Sequence, residues 1–179
     1  MPKEKNIILG VCASIAIYKA CEIIRRMREE KINVTVVMTD DAEQLIRPVV
    51  FQSLSGNKVY RGLFDDPQVW EIEHVSLADK ADLVLVAPAT ANIIGKLSGG
   101  IYDDLLTCTV SATKAPVVIC PAMNENMYLN KVVQKNIKEL KDAGFNFVGP
   151  RKGNLACGKI GIGCLASVEE IVKGVKKFL

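Results

Sequence analysis

Apolar and polar positions along the chain alternate between two periods. Short runs of aliphatic, largely β-branched residues occur at 7–11 (IILGV), 34–38 (VTVVM), 83–87 (LVLVA), 117–120 (VVIC) and 145–148 (FNFV), and each is read as a strand. Between the first two, Ser14 opens the segment SIAIYKACEIIRRMREEK, in which Ile15, Tyr18, Ile23 and Met27 fall near helical spacing. Further helical patterns run over 91–97, 104–113 and 131–143, with Gly144 well placed to end the last. Strands that are apolar on both faces and alternate with helices predict a parallel sheet covered on both sides, a doubly wound α/β domain. The segment 53–73, with Asp65, Asp66, Pro67, Glu71 and Glu73, breaks the pattern and is read as an exposed excursion between strands. No repeat, linker or shift of composition marks a second domain, so 1–179 is read as one unit.

Composition narrows the function classes. With 179 residues, 49% of them hydrophobic and 24% charged, the chain buries a full core, and disordered or low-complexity readings fail. The 23 basic and 20 acidic residues leave a net charge of +3, too small to point to nucleic acid or a membrane surface, so a small molecule or another protein is the expected partner. No apolar run approaches the roughly 18 residues of a membrane span, and the N-terminus has no secretory pattern, which predicts a cytoplasmic protein with reduced thiols. The six cysteines at 12, 21, 108, 120, 157 and 164 form no C-x-x-C pair, which argues against a zinc ribbon or a thioredoxin-type redox pair. Cys12, Cys21, Cys108 and Cys120 read as small buried hydrophobes. With one histidine in the chain, a His-rich metal site is excluded, no metal is expected, and imidazole chemistry near neutral pH must use His74.

Ligands of such folds bind at the carboxyl ends of the strands, so the segments that follow the apolar runs carry the candidate chemistry. After the first, GVCASIA lacks the second glycine of G-x-G-x-x-G, which weakens a dinucleotide reading. A helix start at Ser14 still offers free N–H groups and the positive end of a helix dipole, suited to one phosphate, so FMN fits better than a dinucleotide. Ser14, Thr39 and Thr90 fit helix N-caps equally well. PAMNENMY places Asn124 and Asn126 beyond a buried strand, where a side-chain amide suits a carboxylate or peptide-like group. GNLACGKIGIGCLA holds four glycines and two cysteines, and is read as a mobile lid at about 150–166. Within it Cys157, unshielded between Ala156 and Gly158, fits an acid or nucleophile and equally a surface cysteine.

Taken together, GVCASIAIYK, His74 before VSLADKADLVLVAPATANIIGKLSGGIYDDLLT, PAMNENMY and LACGKIGIG resemble the homo-oligomeric flavin-containing cysteine decarboxylases, over nearly the whole chain. The resemblance implies a Rossmann-like flavoprotein and an FMN-dependent carboxy-lyase, and it is strongest to the branch that converts 4′-phosphopantothenoylcysteine to 4′-phosphopantetheine in coenzyme A biosynthesis. It implies that the flavin oxidises the thiol-bearing carbon, that carbon dioxide leaves from a carboxylate β to the resulting C=S group, and that hydride and a proton are then returned. By the same resemblance His74 and Cys157 are catalytic, His74 in the oxidative half and Cys157 as proton donor in the reductive half, and Asn124 binds the substrate's carboxylate and amide. Ala13, Ser14, Ile15, Thr39, Thr90, Ala91, Asn92, Ile93 and Ala122 match flavin-contacting positions. The family also implies a homotrimer, or a multiple of trimers, with FMN between subunits and the histidine reaching from a neighbour.

Two positions depart from the family pattern: Tyr128 stands where many relatives have Trp, and Cys164 where many have Arg, which puts the lid's charged contacts in question. Rival readings are an oxidative decarboxylase of a peptide's C-terminal cysteine, which would not use Cys157, a non-catalytic flavin-binding regulatory subunit, and a flavin prenyltransferase, which would lack the LACG lid. The chain is read either as a stand-alone enzyme or as the first domain of one that continues into a ligase.

Overall fold

The structure, a computed structural model, describes residues 5–64 and 72–179. In chain order the elements are β1 (Lys5–Val11), a 3₁₀ turn (Ile15–Ile17) leading into α1 (Tyr18–Glu29), β2 (Ile32–Met38), α2 (Asp40–Glu43), α3 (Pro48–Ser55), β3 (Val59–Tyr60), α4 (Glu73–Lys80), β4 (Leu83–Ala89), α5 (Ala91–Ser98), α6 (Leu105–Ala112), β5 (Val117–Pro121), α7 (Glu125–Tyr128), α8 (Lys131–Asp142), β6 (Asn146–Phe147), β7 (Arg151–Asn154), β8 (Ile160–Cys164) and α9 (Val168–Lys176). The first six strands form one parallel sheet in the order β3-β2-β1-β4-β5-β6, and β7 and β8 form a separate antiparallel hairpin.

Both faces of the sheet are covered, and the strands show why. Along β1, Ile7, Leu9 and Val11 point into one apolar layer with Ile23, Ile24 and Met27 of α1, Phe51 of α3 and Ile171 and Val175 of α9. The intervening Ile8 points into the other layer, with Leu77 of α4, Ile93 and Ile94 of α5, Leu105 and Leu106 of α6 and Leu140 of α8. A period of two that is apolar at every step therefore feeds two cores at once, which is the pattern of a doubly wound sheet. Each such side chain sealed from water contributes about 1.5–3 kcal/mol, so this double layer is the main source of stability.

The expected strands and helices are present, with three corrections. Ile15 and Tyr18 are 64% and 61% exposed; the buried stripe of α1 is Ala20, Ile23, Ile24 and Met27, spaced i, i+3, i+4, i+7 along a single face. The segment read as an excursion contains the end of α3, all of β3, which pairs in parallel with β2, and the start of α4; Asp65, Asp66, Pro67 and Glu71 lie outside the described residues. The glycine-rich segment after the sheet is the β7–β8 hairpin and not irregular loop. Cys12 and Cys120 are buried as expected, but Cys21 and Cys108 are only half-buried, and the Cys108 thiol donates to the Tyr102 carbonyl at 3.1 Å.

Candidate functional site

The strand order reverses direction between β1 and β4, and at such a switch point the loops leaving the two carboxyl ends diverge and leave a crevice. A cavity of about 480 Å³ lies there. Three segments build its floor, each a chain turning from strand into helix: Ala13 and Ser14 after β1, Thr90 and Ala91 after β4, and Ala122, Met123 and Asn124 after β5. The hairpin supplies the opposite wall through Asn154, Cys157 and Cys164.

The three turning residues are all helix caps. The Ser14 hydroxyl accepts the Ala16 N–H at 3.3 Å, the Thr90 hydroxyl accepts the Ile93 N–H at 3.4 Å, and the Asn124 carbonyl oxygen accepts the Asn126 N–H at 2.9 Å. The cap reading and the site reading of Ser14 and Thr90 are thus compatible. Capping satisfies one donor per helix start and leaves others open: among the described residues the N–H groups of Ala13, Ile15, Ala91 and Asn92 have no partner. Two sets of unpaired amides at converging helix starts, with the alanines at 13, 91 and 122 keeping side-chain bulk low, suit a flat ring system carrying an anionic group.

For Asn124 the cap also fixes orientation. Its Oδ1 is committed to Asn126, so its Nδ2 faces the hairpin and donates to Cys157 Sγ at 3.8 Å, with its second hydrogen available to an acceptor in the cavity. Asn126 contributes a backbone donor to the cap, and its exposed side chain is not part of the cavity lining. Cys157 is exposed at the hairpin's tip. Cys12 behaves in the opposite way: burial pushes its thiol up to about 12, and burial likewise raises Cys120, so both are neutral packing groups beneath the site. Cys164 lines the cavity, and its thiol donates to the Asn154 carbonyl at 3.3 Å.

Of the residues singled out in the sequence, the structure brings Ala13, Ser14, Ile15, Thr90, Ala91, Ala122, Asn124 and Cys157 to this one cavity. Ile93 is buried beneath it, tied to Thr90, and Asn92 is exposed next to it. Thr39 follows β2, one strand away, at the start of α2, where its N–H donates to the Val11 carbonyl at 3.1 Å. His74 is not in the lining: it stands half-buried on the first turn of α4, beside a Glu73 that pairs with Lys58 at 3.0 Å. Sequence reasoning passed over Glu125, whose Oε1 accepts the Ile162 N–H of β8 at 2.9 Å; nothing but its place next to Asn124 could have singled it out. Among the described residues no group of three or more His, Cys, Asp or Glu side chains gathers to hold a metal ion.

Residues 1–179 match the family described as Flavoprotein. The chain belongs to that family. It is 45% identical, over 99% of its length, to the coenzyme A biosynthesis bifunctional protein CoaBC of Bacillus subtilis, and spans 44% of that protein. It is 40% identical to a probable phosphopantothenoylcysteine decarboxylase of Streptococcus mutans, covering 98% of this chain and 99% of that one. Among solved structures, a cysteine-to-serine variant of PPC decarboxylase complexed with pantothenoylaminoethenethiol superposes with a TM-score of 0.87 at 27% identity, covering 98% of each chain. The FMN-binding protein AtHal3 superposes with a TM-score of 0.83 at 27% identity, over 98% of this chain and 97% of that one. Both solved structures thus share this fold over nearly the whole chain.

Proposed function

We propose that the protein is an FMN-dependent phosphopantothenoylcysteine decarboxylase, converting 4′-phosphopantothenoylcysteine to 4′-phosphopantetheine in coenzyme A biosynthesis. The observation that carries this reading is the meeting of an oriented amide, Asn124 Nδ2, with an exposed thiol, Cys157 Sγ, over a crevice built from capped helix starts. The full-length similarity to a probable phosphopantothenoylcysteine decarboxylase and the structural likeness to PPC decarboxylase support the choice of substrate.

When bound, FMN supplies the two-electron oxidation and re-reduction at the thiol-bearing carbon that the substrate cannot undergo alone. Ala13, Ser14, Ile15, Thr90 and Ala91 would hold it at the crevice, the unpaired amides of Ala13, Ile15, Ala91 and Asn92 serving as donors to its phosphate, and Ala122 would keep side-chain bulk low; Ile93 and Thr39, outside the lining, would act only from behind these residues. Asn124 uses its free N–H on the substrate's carboxylate or amide and so sets which bond faces the ring. Cys157 holds the proton that completes the saturated thiol, which separates this reading from a decarboxylase that stops at an enethiol. The hairpin acts as the substrate lid. His74 acts in the oxidative half from a neighbouring copy, in a homotrimer whose contacts cover the exposed Ile15 and Tyr18 at the cavity rim.

All six cysteines are free and no helix among the described residues is long and apolar enough to cross a membrane, in keeping with a cytoplasmic enzyme. The test is release of carbon dioxide from substrate labelled in its cysteine carboxyl, together with retention of FMN through gel filtration. Labelled gas and a yellow protein are expected; a colourless protein that releases none contradicts the assignment.

A further inference from the structure

Among the described residues, three hydrogen bonds tie the hairpin of β7 and β8 to the rest of the domain: Met123 N–H to Gly163 O at 3.0 Å, Ile162 N–H to Glu125 Oε1 at 2.9 Å, and Asn124 Nδ2 to Cys157 Sγ at 3.8 Å. The third is the weakest, a long contact to sulfur at the exposed tip. The first two grip β8 at its root, against the segment that carries Asn124.

Glu125 is an unusual participant. It is a half-buried carboxylate that faces no cationic partner among the described residues and is used as the acceptor for one backbone amide. The chain makes room for it: a Cβ at Gly161 would stand 2.6 Å from the Glu125 carboxylate, and one at Gly163 would stand 2.2 Å from the Met123 carbonyl oxygen. Both glycines read in the sequence as sources of mobility; Gly163 is required here because backbone stands against it, and a methyl group at Gly161 would push the Glu125 carboxylate out of its place. A charge-assisted bond is stronger than the neutral pair beside it, so the carboxylate is the stronger of the two ties that hold β8 against the segment after β5. Cys157, in the tip between the two strands, takes its position from that root.

We infer that Glu125 is a positioning residue: through Ile162 it docks the hairpin and so places the Cys157 thiol against the Asn124 amide. This rests on the roles given to Asn124 and Cys157 above, but its structural half stands on the geometry alone. Glu125→Gln keeps an oxygen acceptor and Glu125→Leu removes it, leaving the Ile162 N–H without a partner. Gly161→Ala drives a methyl group into the carboxylate and tests the same contact from the other strand.

The experiment compares the full-length protein with these three variants by hydrogen exchange of peptides covering 155–164, by the rate of Cys157 alkylation, and by the rate at which the saturated thiol forms. Loss of a hydrogen bond to a charged group is expected to speed exchange and alkylation by about 10-fold or more in Glu125→Leu and Gly161→Ala, with Glu125→Gln, which keeps a neutral bond, between these and the unaltered protein. Formation of the saturated thiol should fall in the first two and be rescued in the third. Unchanged exchange and alkylation in Glu125→Leu and Gly161→Ala would overturn the inference, as would a Gln variant as loose as the Leu variant. If the hairpin loosens as expected while even the unaltered protein fails to decarboxylate the substrate, the docking role of Glu125 stands and the proposed reaction falls.

Discussion

Phe51, Leu9 and Leu85 are wholly sealed inside an apolar layer of the sheet, whereas Cys157 stands exposed on a hairpin that, among the described residues, three hydrogen bonds hold to the domain. The first region derives its order from apolar area removed from water, spread over many side chains; the second derives it from a few directed contacts at a strand root. Changes in the sheet interior should therefore lower stability and leave the chemistry of the folded fraction intact. Changes at the cavity and hairpin should do the reverse, because little apolar area depends on them.

Substitutions can break or sharpen this division. The largest effect is expected for Cys157→Ser, which should lower formation of the saturated thiol by about 10²–10⁴-fold, the range of a lost general acid, while leaving the thermal midpoint unchanged. The released product should then be lighter than the normal one by two hydrogens, as product mass would show. Next comes Phe51→Ala, which opens a cavity beneath α3 and should destabilise the fold by about 3–5 kcal/mol in denaturant unfolding, with turnover per folded molecule unaltered. Asn124→Asp keeps a cap oxygen for Asn126 but removes the Nδ2 donor and sets a carboxylate against that of the substrate. Its kcat/KM should fall by about 10–100-fold, with stability held within about 0.5 kcal/mol. The smallest is Ser167→Ala, which deletes the capping box of α9, outside the cavity lining; about 1 kcal/mol of stability should be lost with no change in activity. A core variant that altered the product, or Cys157→Ser lowering the thermal midpoint as much as Phe51→Ala, would erase the distinction.

The division also explains which features were legible in the sequence. Strands such as IILGV and LVLVA announce themselves because burial on both faces demands unbroken apolar runs, and their helices follow from the breaks between them. The short α3 carried a signal that periodicity misses: Pro48 at its first position and Gly56 just past its end, in the left-handed conformation, mark a helix start and stop. β3 consists of two residues whose strand character comes wholly from pairing with β2. β7, with the sequence RKGN, has no apolar alternation, because it is mostly exposed and its strand character comes from backbone pairing with β8 and not from a buried face. Ser14, Thr90 and Asn124 could be named in advance because each follows a strand at the carboxyl end of the parallel sheet, and Cys157 because it stands unshielded in the glycine-rich segment beyond the last apolar run; the family resemblance supplied their roles. The place of His74 outside the cavity of its own chain depends on how α4 packs, which no local pattern encodes.

The central claim is that the Asn124 amide and the Cys157 thiol act together in one complete decarboxylation. Its most direct test is the mass of the product formed when the FMN-loaded protein is incubated with 4′-phosphopantothenoylcysteine. Loss of carbon dioxide alone, giving 4′-phosphopantetheine with its hydrogens intact, is the predicted result. Unchanged substrate, or a product lighter by two further hydrogens from the unaltered protein, would contradict it.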